Sequence, residues 1–277
     1  MRKCPVRGAA RAALFLSLTA ALLLLYLPAM ALGRTAMLAI RGLWCRATAR
    51  LLGVLVRRVG RPFAVCPTLF VANHVSYLDV LALGALTHGT FIAKAEIAGW
   101  PLFGLLGRVT RTMFVRRHWR QALVQRNALA ARMRRGESFI LFGEGTSSNG
   151  LDVLPLKTSL LSVAEPWIVD CPIAVQPVTL AYTRLADGSP IGPENCDLYA
   201  WHADATFVPH LWNVLQLGGV EILVTMGEPV LSWSVASRKV LGRELRAHMR
   251  RTLAERDAAL RAGGVANLPV ATAVEVP

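Results

Sequence analysis

Thr68-Leu69-Phe70-Val71-Ala72-Asn73-His74-Val75-Ser76-Tyr77-Leu78-Asp79-Val80-Leu81-Ala82-Leu83 decides how this chain folds and where its chemistry would sit. The apolar run through Ala72 reads as a buried strand. Val80-Leu81-Ala82-Leu83 begins a helix. A polar group of residues therefore falls where a strand gives way to a helix, the usual place for a site in an open α/β sheet. Histidine exchanges a proton near neutral pH, and a carboxylate can hold its ring in one tautomer and steady the imidazolium. The spacing brings His74 and Asp79 close enough to meet. A structural role also fits, because Ser76 followed three residues later by Asp79 has the pattern of a capping box.

Outward from this stretch the chain alternates. Strand-like runs are Leu69–Ala72, Thr90–Ala93, Thr112–Val115, Phe139–Phe142, Ile173–Leu180 and Val220–Met226. Helical candidates are Leu78–Leu86, Leu102–Arg108, Trp119–Arg135 and Leu156–Ala164. Such alternation predicts an α/β domain with a mostly parallel central sheet flanked by helices. Near the end, Val240, Leu241, Leu245, Met249 and Leu253 recur at helical spacing among arginines, an amphipathic basic helix. Residues 61–262 form the expected catalytic domain, and 263–277 read as a loose tail.

The first sixty residues differ in kind. Ala12–Leu32 is almost wholly apolar after Arg2, Lys3, Arg7 and Arg11. About 20 such residues can cross a bilayer. An uncleaved anchor is the expectation, with a signal peptide sharing the same features. Thr35–Val59 mixes leucines with Arg41, Arg46, Arg50, Arg57 and Arg58, as does a helix in a membrane interface or one packed on a domain. Arginines on both sides of the first run leave orientation open. N-terminal membrane-associated helices over residues 1–60 complete the expected organisation.

Composition agrees with a lipid surface. The 277 residues are 54% hydrophobic with a formal net charge of +14, and the mean hydropathy is +0.43. A basic balance suits nucleic acid or anionic lipid, and the apolar excess favours lipid. There is no zinc-finger spacing or RNP-like aromatic pattern, so no nucleic-acid partner is expected. Five dispersed cysteines without a C-x-x-C argue against a disulfide framework and a structural zinc. They fit a reducing, cytosol-facing domain.

Three further strand ends carry polar groups. Lys94 ends one, Arg116 and Arg117 end another, and Gly143-Glu144-Gly145-Thr146-Ser147-Ser148-Asn149-Gly150 follows Phe139–Phe142. Close glycines let backbone N–H groups approach an anion. Arginine at a strand end can grip a phosphate through its planar fork, although solvent exposure is the commoner role. Glu144 could hold a substrate hydroxyl or ammonium, or brace the histidine. The loop is neither a P-loop nor a G-x-S-x-G elbow. In a parallel sheet all four ends meet along one edge.

In this order the motifs resemble the glycerolipid acyltransferase family, which includes 1-acylglycerol-3-phosphate acyltransferases. The matching residues are Asn73-His74 with Asp79, then Phe114-Val115-Arg116-Arg117, then Glu144-Gly145-Thr146, then Cys171 through Val178. Ser147 stands where the family's third block commonly carries an arginine. A bacterial branch that acylates lyso-ornithine lipid is also similar, and Pro209-His210-Leu211-Trp212 is in keeping with it. The resemblance implies a membrane-bound O-acyltransferase of phospholipid biosynthesis. Its donor would be a thioester of coenzyme A or acyl carrier protein. Its acceptor would be a lysolipid hydroxyl, 1-acylglycerol-3-phosphate first and lyso-ornithine lipid as the alternative. His74 would act as general base with Asp79 orienting it, while Lys94, Arg117, Glu144, Gly145 and Thr146 bind substrate. No metal or cofactor is implied. The expected location is the cell inner membrane with the active site facing the cytoplasm. A non-catalytic lipid-binding protein and a thioester hydrolase are the rival readings.

Overall fold

The computed structural model describes residues 3–116, 118–261 and 274–275. Arg117 and residues 262–273 lie outside the described residues. Two long helices, α1 (Pro5–Leu32) and α2 (Arg34–Leu52), lead into strand β1 (Val54–Val59). Then come β2 (Thr68–Ala72), α3 (Leu78–Leu86), β3 (Thr90–Lys94), α4 (Pro101–Val109), β4 (Met113–Val115), α5 (Ala122–Met133) and β5 (Phe139–Phe142). The chain continues through β6 (Ala174–Leu185), α6 (Phe207–Gln216), β7 (Val220–Met226), β8 (Val230–Leu231) and α7 (Arg238–Arg261), and β9 (Val274–Glu275) closes the order.

All strands share one sheet, in the order β4-β3-β5-β2-β6-β7-β1-β9, with β8 pairing β6. The run from β4 to β6 is parallel throughout. β7 is antiparallel to β6 but parallel to β1. The central sheet is thus mostly parallel, as the alternation of elements implies. Every residue of β2 is buried, which is why its sequence is a continuous apolar run and not an alternating one.

Two apolar clusters cover the sheet's faces. Phe70, Ala72, Leu78, Val178, Leu180 and Tyr182 belong to one, with α3 and α6 over it. Leu69, Val71, Leu129, Val175, Leu245 and Met249 belong to the other, with α5 and α7. Strand alternation sends Leu69 and Val71 one way, Phe70 and Ala72 the other.

Residues 35–59 are not one helix. α2 stops at Leu52, and Gly53 takes a left-handed φ of 73° with its N–H on the carbonyls of Ala49 and Arg50. Val54–Val59 then pairs with β7 from Val54↔Val220 to Val59↔Thr225. Arg57 and Arg58 therefore belong to a sheet strand, and Arg57 forms an ion pair with Glu221 at 2.7 Å. Nor does Arg41 border a lipid-facing stripe. It is 6% exposed and donates to the carbonyls of Gly89 and Thr87 in the α3–β3 loop. Leu156–Ala164, read as a helix, is helical only as a short 3-10 turn over Leu160–Ala164. Phe207–Gln216, not recognised as an element from sequence, is the helix α6.

Candidate active site

Four parallel strands, β2 to β5, end along one edge, and their C-terminal residues line one cavity of about 950 Å³. His74 follows β2, Lys94 ends β3, Arg116 follows β4, and Glu144, Gly145, Thr146 and Ser147 follow β5. The far wall is apolar and comes from the N-terminal helices, including Leu22, Leu23, Tyr26 and Trp44.

His74 Nδ1 lies 2.8 Å from Asp79 Oδ2. The same carboxylate oxygen accepts the backbone N–H groups of Val75 at 2.7 Å and Ser76 at 3.0 Å. Asp79 stands in the first turn of α3 and is fully buried. The expected contact between the two side chains is present, and the same oxygen makes one half of the capping box through the Ser76 N–H, while the Asp79 N–H goes to the Ser76 carbonyl and not to its hydroxyl. The imidazole stacks on Phe142, with 3.9 Å between ring centroids and 18° between planes. With Nδ1 held, Nε2 is the ring nitrogen left for a substrate. Such an imidazole can take a proton from a hydroxyl and stay in register while it does so.

The loop after β5 holds the histidine's backbone. Glu144 Oε1 accepts the His74 N–H at 2.8 Å, and Oε2 accepts that of Leu154 at 3.1 Å. The Ser148 N–H reaches the His74 carbonyl at 2.8 Å. Gly145 makes the turn with a φ of 73°. Burial pushes the Glu144 carboxyl above its ordinary range, outweighing the two N–H donors that pull it down. Of the sequence-derived residues, His74, Lys94, Glu144, Gly145 and Thr146 line the cavity. Asp79 sits behind His74. Lys94 is paired with Glu96 at 3.2 Å, its side chain 44% exposed. Arg117 lies outside the described residues.

Sequence reasoning named Asn73 without a role and missed other neighbours. Asn73 mimics a strand residue: its side chain donates to the Leu180 carbonyl at 2.9 Å and accepts the Leu180 N–H at 2.7 Å. Tyr182, further along β6, donates its hydroxyl to Asp79 Oδ1 at 2.8 Å. Lys157 adds a cation to the lining, and Tyr77, Trp201 and Phe207 an aromatic edge. The apolar alternation Val178, Leu180, Tyr182 marks a shared face, but no sequence signal gives the register that sets Tyr182 against Asp79.

A sheet of this kind, closed over a lipid-sized cavity with a held imidazole at its edge, matches known proteins in sequence and in fold. A family model described as Acyltransferase matches residues 63–181. The lyso-ornithine lipid O-acyltransferase of Brucella abortus (strain 2308) is 39% identical over 212 residues, covering 75% of this chain and 79% of its own. That of Rhizobium meliloti (strain 1021) is 37% identical, covering 77% and 74%. A 1-acyl-sn-glycerol-3-phosphate acyltransferase of Neisseria gonorrhoeae is 32% identical over 60% of this chain and 62% of its own. The crystal structure of the 1-acyl-sn-glycerophosphate acyltransferase PlsC from Thermotoga maritima has the same fold, with a TM-score of 0.67 at 20% identity, over 92% of this chain and 95% of that one. The chain belongs to the acyltransferase family and is an acyltransferase of lipid metabolism.

Proposed function

We propose that this chain transfers a fatty acyl group from an acyl thioester to the free hydroxyl of lyso-ornithine lipid, with His74 as general base. One observation carries the chemistry: a ring nitrogen fixed 2.8 Å from a buried carboxylate, beside a cavity lined by Lys94, Arg116 and Lys157 and by apolar side chains of α1 and α2. His74 Nε2 takes the acceptor's hydroxyl proton as the oxygen attacks the thioester carbonyl. The tetrahedral intermediate collapses, the carbon–sulfur bond breaks, and His74 returns the proton to the departing thiolate. Asp79 holds the imidazole and offsets its charge. Glu144, in the loop after β5 that Gly145 turns, holds the backbone of this histidine, and Lys94 faces the head group; by its place in the motif Arg117 would bind that group as well.

The acceptor assignment reverses the order that the motifs favoured. The relatives from Brucella abortus and Rhizobium meliloti act, by name, on lyso-ornithine lipid, and Ser147 stands where the glycerophosphate enzymes commonly carry an arginine. The second reading, 1-acylglycerol-3-phosphate, draws on the Neisseria relative and on Lys94 and Arg116 at the cavity. The donor is a thioester of acyl carrier protein or coenzyme A. The α1–α2 pair docks the enzyme on the inner membrane, with the cavity open to lipid and its mouth to the cytoplasm.

Purified full-length protein in lipid vesicles tests this with labelled acyl-carrier-protein and acyl-CoA donors. Lyso-ornithine lipid should be acylated with the higher kcat/KM. Replacing His74 by Ala should cost about two to four orders of magnitude in turnover, the range for losing a general base. Preference for 1-acylglycerol-3-phosphate would overturn the acceptor, and a fully active His74→Ala would overturn the mechanism. Fatty acid released without any acceptor would identify a hydrolase.

A further inference from the structure

The Asp79 carboxylate is unevenly shared. Oδ2 accepts three donors, from His74 Nδ1 and the N–H groups of Val75 and Ser76. Oδ1 accepts the Tyr182 hydroxyl at 2.8 Å. Asp79 and Tyr182 are 0% and 5% exposed, so neither is in touch with bulk water. A buried carboxylate oxygen deprived of its donor carries a desolvation penalty, and the donors on Oδ2 alone must then hold the carboxylate plane. A turn about the side chain would carry Oδ2 away from the imidazole.

The placement of Tyr182 is itself held from three directions. β6 runs on past the end of β2, and the Asn73 side chain continues the ladder by exchanging two hydrogen bonds with Leu180. That brings the next residue on the same face, Tyr182, level with the start of α3. The β6–β7 register shifts between Tyr182 and Arg184, ending the regular ladder there. From the opposite side, the buried Arg256 of α7 donates to the Tyr182 carbonyl at 2.8 Å. Phenylalanine would fill the same apolar cluster without a hydroxyl that needs a partner.

We propose that Tyr182 is a positioning residue for acyl transfer, its hydroxyl locking the Asp79 carboxylate so that Oδ2 faces His74. This rests on the reading of His74 as the general base. It assigns to the far half of β6, beyond the family's four sequence blocks, a part in the reaction. Losing the hydroxyl acts in two ways. The carboxylate gains freedom to turn, which lowers the fraction of correctly held imidazole. Its charge is also less dispersed. Either change alters how well the carboxylate steadies the imidazolium, so the acidic limb of kcat/KM moves.

Full-length Tyr182→Phe, reconstituted in vesicles, should lose about tenfold in kcat, the scale of a hydrogen bond to a charged group, with the acceptor KM unchanged. Its acidic limb should shift. Tyr199→Phe is the comparison: that hydroxyl accepts the Gly219 N–H at 3.0 Å away from the cavity. It should lower the melting temperature and leave the limb where it is. A Tyr182→Phe enzyme with wild-type kcat and an unmoved limb overturns the proposal. So does one that loses activity only with its melting temperature, limb unmoved, since that marks packing alone. Full activity in His74→Ala would instead overturn the reading beneath it, whatever Tyr182→Phe does.

Discussion

Both oxygens of Glu144 are occupied by backbone N–H groups, so this side chain fixes where the peptide of His74 sits. Glutamine keeps the shape but has only one acceptor oxygen. One of the two N–H groups, that of His74 or Leu154, would then face an amide NH₂. An unsatisfied buried donor costs about 1–3 kcal/mol. Glu144→Gln should therefore melt earlier and turn over more slowly. The pH dependence gives an independent reading. Burial raises the Glu144 carboxyl above its ordinary value of 4.5. In strong acid both folded and unfolded chains carry the proton, and the group contributes nothing. As the pH rises, the unfolded chain releases its proton first, so stability declines until the folded carboxyl also ionises and then levels off. Glutamine has no proton to lose, so this decline should disappear from denaturant titrations run between acid and neutral pH. A Gln variant with the wild-type slope and turnover would show that Glu144 does not hold the loop. From the sequence, His74 and Asp79 were legible because spacing alone brings them together. The partners of Glu144 were not, because Leu154 reaches it only through the fold of a loop without periodicity.

The joint between α2 and β1 shows how far the elements could be read. Arginines and leucines run through residues 35–59 without a break in composition, and that run suggests one helix. The stop is a single residue. Gly53 is left-handed, and a Cβ there would lie 2.5 Å from the Gly218 carbonyl oxygen. Glycine just past a helical run is a stop signal, but the leucines and arginines beyond it hid the strand. What makes Val54–Val59 a strand is β7, about 165 residues away in sequence, and no local pattern carries that pairing. β2, β5 and β7 were legible because apolar runs between turn residues mark buried strands. α6 was not, since its role depends on α1: Arg11 donates to the carbonyls of Leu215, Leu217 and Gly218 at its C-terminal end. Gly53→Ala should lower unfolding free energy by about 1–3 kcal/mol, the scale for strained backbone at one residue. Calorimetry on the purified protein checks this, and an unchanged melting temperature would mean that the joint tolerates a side chain.

Across the whole molecule, the apolar helices and the sheet edge that carries His74 form one structure, lining a single cavity, and that limits which surface could meet lipid. α1 is 28 residues long and apolar enough to cross a bilayer. One side of it, Gly8, Thr19, Leu22, Tyr26 and Ala29, is buried. Trp44 of α2 donates to Thr19 at 3.0 Å. A helix held along its length in this way has only its outer face for lipid. Leu24, Leu25, Leu27 and Leu32 are 55–79% exposed and lie on that face. Because the next residues round the helix, Leu22 and Leu23, line the cavity, the exposed leucine face borders the space where a lysolipid would bind. With a net charge of +14 the protein should favour anionic membranes, and that part of binding should weaken with salt. The apolar part should not. Burying two leucines contributes about 3–6 kcal/mol, and aspartates in their place resist entry. The double variant Leu24→Asp, Leu25→Asp should therefore bind anionic vesicles more than about a hundredfold more weakly at high salt. Since both positions are exposed, its unfolding should match the wild type, and so should its turnover of a detergent-dispersed lysolipid. Vesicle sedimentation at low and high salt separates the two contributions. Wild-type binding by the variant at high salt would place the lipid-facing surface elsewhere on the protein.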